Sequence, residues 1–190
     1  MSMLPVLTAL AVVGSALPSG RPVPVRPTAV DSLTTFVANR VVLDIAAPAS
    51  LIWTWLPSIR KRSDIERVSL NGLVEQFGAR NDFLYRDSTG KVYRHDRVEV
   101  LHWEPGVRYV AKVEYLPPSD AVTIIFNVDL REAGGVTHFV MDSYSTVTIA
   151  VSGTEAERVA QVAAARKGYQ DAVEKGYQAF KTSVEAAARK

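Results

Sequence analysis

The chain has no cysteine in its 190 residues, which excludes disulfide scaffolds, thiolate zinc sites and thiol catalysis. Net charge is almost absent as well, with 22 Lys plus Arg against 20 Asp plus Glu. The whole excess, Arg21 and Arg26, lies before residue 31, so 31–190 is formally neutral. A neutral body lacks the broad positive field that nonspecific nucleic-acid binding requires, so nucleic acid is not an expected partner. There is no nucleophile elbow, no phosphate-binding glycine loop, no HExxH and no EF-hand loop. No cofactor is therefore expected. The three histidines, His95, His102 and His138, all fall inside strand patterns. His95 and His102 are seven apart, which puts them on opposite faces of an unbroken strand, so no metal site is expected either.

What is present is an ordinary globular composition, 47% apolar and 22% charged. The length suits one domain with a tail. Residues 3–17 (MLPVLTALAVVGSAL) carry no charge. The run is short for a bilayer span, which takes ~20 residues, but fits the apolar centre of a signal peptide. Gly14-Ser15-Ala16 offers small residues for cleavage, although no Lys or Arg precedes the run. Pro18, Pro22, Pro24 and Pro27 then favour an extended spacer. Residues 1–30 are thus expected to be signal peptide and spacer, and the mature chain exported, to a periplasm or outside the cell, with no integral span. A disordered tail, or an uncleaved anchor on a membrane-bound or cytoplasmic protein, is the alternative.

Residues 31–190 form the expected domain. Residues 37–45 (VANRVVLDI) alternate as a strand, and 48–56 (PASLIWTWL) place Ile52, Trp53 and Leu56 at helical spacing after Pro48. Arg60-Lys61-Arg62 forms a basic bend. Strand patterns follow at 67–70 and 73–77 around Asn71-Gly72, then at 81–86 and 91–103 around Asp87-Ser88-Thr89-Gly90. Further strands are expected at 107–115, 121–131 and 136–147, broken by Pro117-Pro118 and Gly134-Gly135. Turns every ten residues or so mark a meander rather than βαβ units. The chain then reads Thr154-Glu155-Ala156-Glu157, a capping box. Val159, Val162, Ala163, Tyr169, Val173, Phe180 and Val184 continue from it on one helical face, with Gly168 and Gly176 as weak points. The predicted class is α+β: a curved antiparallel sheet of six or seven strands wrapped around a long C-terminal helix, so that each buries the other's apolar face.

Three local patterns occur in a telling order: VVLDIAAPASLIW at 41–53, EVLHWEPGVRYV at 99–110, and Gly134-Gly135-Val136-Thr137. Together they make the chain resemble the START-like helix-grip superfamily (SRPBCC), which includes birch-pollen-allergen-like proteins and the polyketide cyclase/dehydrase group. The resemblance spans about 36–180. It implies a hydrophobic cavity between sheet and final helix, and a small hydrophobic or amphipathic ligand, lipid or polyketide-like. Its cyclases share no fixed catalytic set that could be carried across.

Residues with chemistry cluster at 93–99. Strict alternation puts Tyr93, His95, Arg97, Glu99, Leu101 and Trp103 on one face of that strand, and Arg94, Asp96, Val98, Val100 and His102 on the other. With the first set inward, His95 and Glu99, with Asp96 as a further candidate, become acid–base groups in a cavity. With the second inward, the first is a solvated charge ladder. Expected lining residues are Tyr109, Ala111, Val113, Phe126, Val128, Phe139 and Met141 from the strands, Tyr169 and Val173 from the last helix, and Trp55 at the mouth. The same positions equally suit a solid core.

Three functional readings follow. The leading one is a binding module for a small hydrophobic or amphipathic molecule. The second is a cyclase- or hydrolase-type enzyme using His95, Glu99 or Asp96. The third is an interaction domain docking through the bend at 60–62.

Overall fold

The computed structural model describes residues 31–56, 65–71, 76–118 and 122–190. The expected signal peptide and spacer at 1–30, the basic bend at 60–62 and most of the expected strand at 73–77 lie outside the described residues. Along the described chain run β1 (Asp31–Ile45), α1 (Ala49–Trp55), β2 (Ile65–Asn71), β3 (Arg80–Arg86), β4 (Val92–Glu104), β5 (Arg108–Leu116), β6 (Thr123–Ala133), β7 (Val136–Val151) and α2 (Glu155–Ala188). The strands form one curved antiparallel sheet in the order β1-β7-β6-β5-β4-β3-β2. Six are joined as a meander, and β1 returns to pair with β7. Gly90, Gly106, Gly134 and Gly135 take positive φ between the hairpin strands, as the turn signals require.

Two boundaries differ from the sequence pattern. β1 and β7 are longer than expected, because Asp31 pairs with Val151 and the ladder continues to Ile45 and Thr137. β2 pairs with β3. Asn71 Oδ1 accepts the Arg80 N–H at 2.7 Å, and Phe77 is 75% exposed. Pro48 serves as N-cap of α1 instead of entering its first turn, and Ala49 N–H donates to Glu132 of β6 at 2.8 Å.

Helix α2 begins as its capping box predicts: Glu157 N–H donates to Thr154 Oγ1, and Glu157 Oε2 accepts the Thr154 N–H. Gly153, just before the cap, has φ +88, and a Cβ there would lie 2.3 Å from that Glu157 oxygen. Gly153→Ala should therefore strain the backbone and displace the carboxylate. We expect a loss of about 1–2 kcal/mol in urea unfolding, against no change for an Ala substitution at exposed Gln170.

The helix runs alongside β1, tied by polar contacts: Arg158 to Asp31 at 2.8 Å, Arg166 to Thr35, and Glu185 to the Ala46 N–H at 3.0 Å. It continues unbroken through Gly168 and Gly176, where bending was expected. Its apolar burial is confined to one end, since only Phe180 and Val184 of its 34 residues are buried. The expected full-length stripe is thus corrected: Val159 is 64% exposed. Ala-rich turns supply little apolar surface between Val159 and Tyr169, so salt bridges and hydrogen bonds hold that half in place.

The core sits where α1 and the last turns of α2 meet the sheet. Ile45, Ile52, Leu56, Phe139, Met141 and Val184 are almost wholly enclosed there. Trp53 packs edge-on against Trp103 (5.0 Å) and Tyr109 (6.1 Å), and Tyr109 against Phe126 (5.4 Å). Phe139 meets Tyr177 and Phe180 of α2 at 5.5 and 5.7 Å. Such ring pairs favour edge contacts because the π face is negative and the rim positive.

Candidate functional site

The pairing register resolves which face of β4 looks inward. Val98 lies opposite Val113, Val100 opposite Ala111 and Asp96 opposite Tyr115, so the even-numbered residues line the concave side. A bulge at Leu101 then shifts the register: His102 pairs with Val110, and Trp103 with the buried Tyr109. Trp103 is thereby inward and His102 outward, the reverse of strict alternation.

This placement corrects two acid–base candidates. His95 and Glu99 face outward, in a charge ladder with β3. His95 Nε2 lies 3.0 Å from Asp82, which also receives Arg97 Nε at 2.8 Å, and Glu99 faces Arg80 at 3.3 Å. The Arg97 hydrogen bonds hold the Asp82 carboxyl below the usual range against partial burial, with His95 adding to them. Among the described residues no cluster of His, Asp and Glu is arranged to hold a metal ion. An open groove of about 310 Å³ on the same convex face includes Arg40, Arg108, Asp129, Arg131 and Asp142. Its charges are largely answered across strands, Arg40 by Asp142 and Arg108 by Asp129.

The third candidate, Asp96, does face inward, and it brings Arg94 with it. Arg94 Nε donates to Asp96 at 2.8 and 3.0 Å, and Nη2 donates at 2.6 Å. Nη2 also donates to the Tyr115 hydroxyl at 3.2 Å. Tyr85 on β3 and Tyr115 on β5 flank the guanidinium, each ring centroid 4.7 Å from its central carbon. The Asp96 side chain is 4% exposed and that of Arg94 23%. Burial opposes the Arg94 charge, but the Asp96 hydrogen bonds outweigh it and push its pKa above the ordinary arginine value. With both oxygens engaged by Arg94, Asp96 is a structural counter-ion rather than a free base. Burial pushes the Tyr115 hydroxyl up to about 12 and lifts those of Tyr85 and Tyr177 further. Tyr169 of α2 is close enough to contribute to the shifts of both Tyr115 and Tyr177.

A second polar patch lies across the concave face on β1 and β7. Asn39 Nδ2 donates to Ser143 Oγ at 3.3 Å. Asn39 Oδ1 and Ser145 Oγ are buried without a partner among the described residues. Val113 on β5 and Ile124 on β6 separate this patch from the Arg94 cluster along the paired rows. Three strand spacings of about 4.8 Å separate β1 from β5.

The expected lining residues divide accordingly. Tyr109, Ala111, Val128, Phe139 and Met141 are buried in the packed aromatic end, and Trp55 packs half-buried against it. Val113 lies between the two polar patches, with Phe126, Tyr169 and Val173 only partly buried. Sequence reasoning missed Arg94, Tyr85 and the Asn39–Ser143–Ser145 patch. The available signal was Arg94 and Asp96 at spacing two, on the face shared with Val98 and Val100.

Among the described residues no helix is long and apolar enough to cross a membrane. No family model matches the chain, and no curated protein matches it. The chain is similar to a solved structure from Rhizobium leguminosarum at 10% identity and TM-score 0.52, covering 82% of this chain and 99% of that one. A structure of Ara h 8.0201 aligns at 11% identity and TM-score 0.49, over 80% of this chain and 99% of that one. DynU16, a protein in the dynemicin biosynthetic locus, aligns at 15% identity and TM-score 0.45, over 80% of this chain and 46% of that one. Six antiparallel strands in meander order with β1 added against β7, the short helix after β1 and the long terminal helix against the sheet give this chain the helix-grip fold.

Proposed function

We propose that the chain binds a small hydrophobic or amphipathic molecule between the concave sheet and the N-terminal half of α2. One observation carries this reading. Two buried polar groups without partners among the described residues, Asn39 Oδ1 and Ser145 Oγ, stand among apolar neighbours on the concave face, and the N-terminal half of α2 buries none of its own residues. Buried polar atoms in folded proteins are normally satisfied, so orphans on a concave face call for a water or ligand atom. An apolar lining with a few convergent polar groups is also the usual composition of small-molecule sites. The packed aromatic end acts as the closed floor of the site. Apolar burial supplies affinity at ~25 cal/mol per Å², and the polar groups orient the guest.

The test is uptake. Purified protein, stripped of lipophiles by reversed-phase extraction and refolded, is titrated with an anilinonaphthalene sulfonate and with a neutral naphthyl ketone. Saturable one-to-one binding that protects Tyr169 and Val173 from hydrogen exchange is expected. Absence of saturable binding by either probe, with native mass spectra free of co-purifying small molecules, would overturn the reading.

A further inference from the structure

Resting on that binding reading, we infer that Arg94 and Tyr115 form a subsite for an uncharged oxygen acceptor, a carbonyl carried by the ligand, and that the subsite disfavours a carboxylate. The guanidinium carbon of Arg94 lies 4.7 Å from the ring centroids of both Tyr85 and Tyr115, and its Nε–Nη2 edge is closed by Asp96. Nη1 is what remains, and among the described residues it has no acceptor. Tyr115 is in the same position. Its oxygen already accepts from Arg94 Nη2, so its own hydrogen points elsewhere, and among the described residues nothing accepts it. Two adjacent N–H and O–H donors, with no acceptor between them, are the complement of an oxygen with two lone pairs.

Charge decides which oxygen. Asp96 answers the Arg94 charge through three short contacts, so the cluster is neutral as it stands. A carboxylate entering beside it gains attraction from Arg94 but also meets repulsion from Asp96, whose charge already balances that of Arg94. It must also shed its water in a buried site whose positive charge is already engaged. A carbonyl incurs neither cost and uses both donors. Burial of the Tyr115 hydroxyl agrees with this role, because a phenol held protonated donates its hydrogen at every ordinary pH.

The experiment uses three ligands on one aromatic scaffold: a dimethylaminonaphthalene bearing a propionyl group, the same ring without an acyl group, and the same ring bearing a carboxylate. Each is titrated into the full chain and into Tyr115→Phe, whose fold is checked by circular dichroism and thermal unfolding. The ketone should bind about 10-fold tighter than the bare ring, the worth of one or two neutral hydrogen bonds in a buried site. The carboxylate should bind more weakly than the ketone. Tyr115→Phe should remove most of the ketone's advantage and leave the bare ring's affinity unchanged. The ketone's emission should show a hydrogen-bonded carbonyl in the wild-type complex and lose that signature in the variant. Equal binding of all three ligands would overturn the subsite while leaving the cavity reading intact. Tightest binding by the carboxylate would overturn the neutral-acceptor assignment. If none of the three binds, both the subsite and the cavity reading fail.

Discussion

Replacing Arg94 with Met should lower the unfolding free energy by about 3–5 kcal/mol, the cost of leaving a buried carboxylate without its counter-ion. Asp96 is the partner left behind, with its side chain only 4% exposed. The size of the effect follows from this asymmetry, not from the strength of the pair itself. Asp96→Asn in the Arg94→Met background removes the stranded charge and should recover more than half of the loss. A double-mutant cycle read by urea denaturation measures the difference. A single-variant loss below about 1 kcal/mol would mean that the pair is solvated and does not belong to a buried site. A double variant no better than the single would locate the damage in the lost tyrosine packing around the guanidinium.

Phe139→Ala is the second large effect. The ring is fully buried and joins β7 to α2 through Tyr177 and Phe180. Truncating a buried Phe in a core that cannot collapse costs about 3–5 kcal/mol. The loss should also be unevenly distributed along α2. Hydrogen-exchange protection should fall in the last four turns, which depend on Phe180 and Val184, and change little near Arg158 and Arg166, where polar ties to β1 do the holding. Uniform loss along the helix would contradict the division of α2 into a packed half and a tethered half.

Much of this architecture is legible in the residues themselves. Turn glycines mark the hairpins between β3 and β7, Thr154 and Glu157 mark the start of α2, and alternation on β5 and β6 selects the buried Tyr109, Ala111, Val113 and Val128. The candidate site was less legible, for three physical reasons. Alternation offers two faces for β4 without saying which is inside, and the inward one carries a charge pair that hydrophobic patterning assigns to solvent. A bulge is a backbone irregularity, so Trp103 could not be placed from its spacing alone. An apolar period in α2 predicts a face for the whole helix, yet burial also needs bulk, which Ala163, Ala164 and Ala165 do not provide. Asn39, Ser143 and Ser145 become a patch only when β1 and β7 pair across more than a hundred residues of sequence.

The extra residue at Leu101 has a consequence for how relatives of this chain are to be compared. Up to Val100 the even positions of β4 belong to the interior; from Trp103 onward the odd ones do. One inserted residue therefore acts as a parity switch, turning the far end of the strand over without altering its length of reach. In a relative that lacks it, an aromatic at the aligned Trp103 position would stand on the outer surface. The aromatic packing around Trp53 and Tyr109 would then have to be completed by a neighbour, whatever the percentage identity of the stretch.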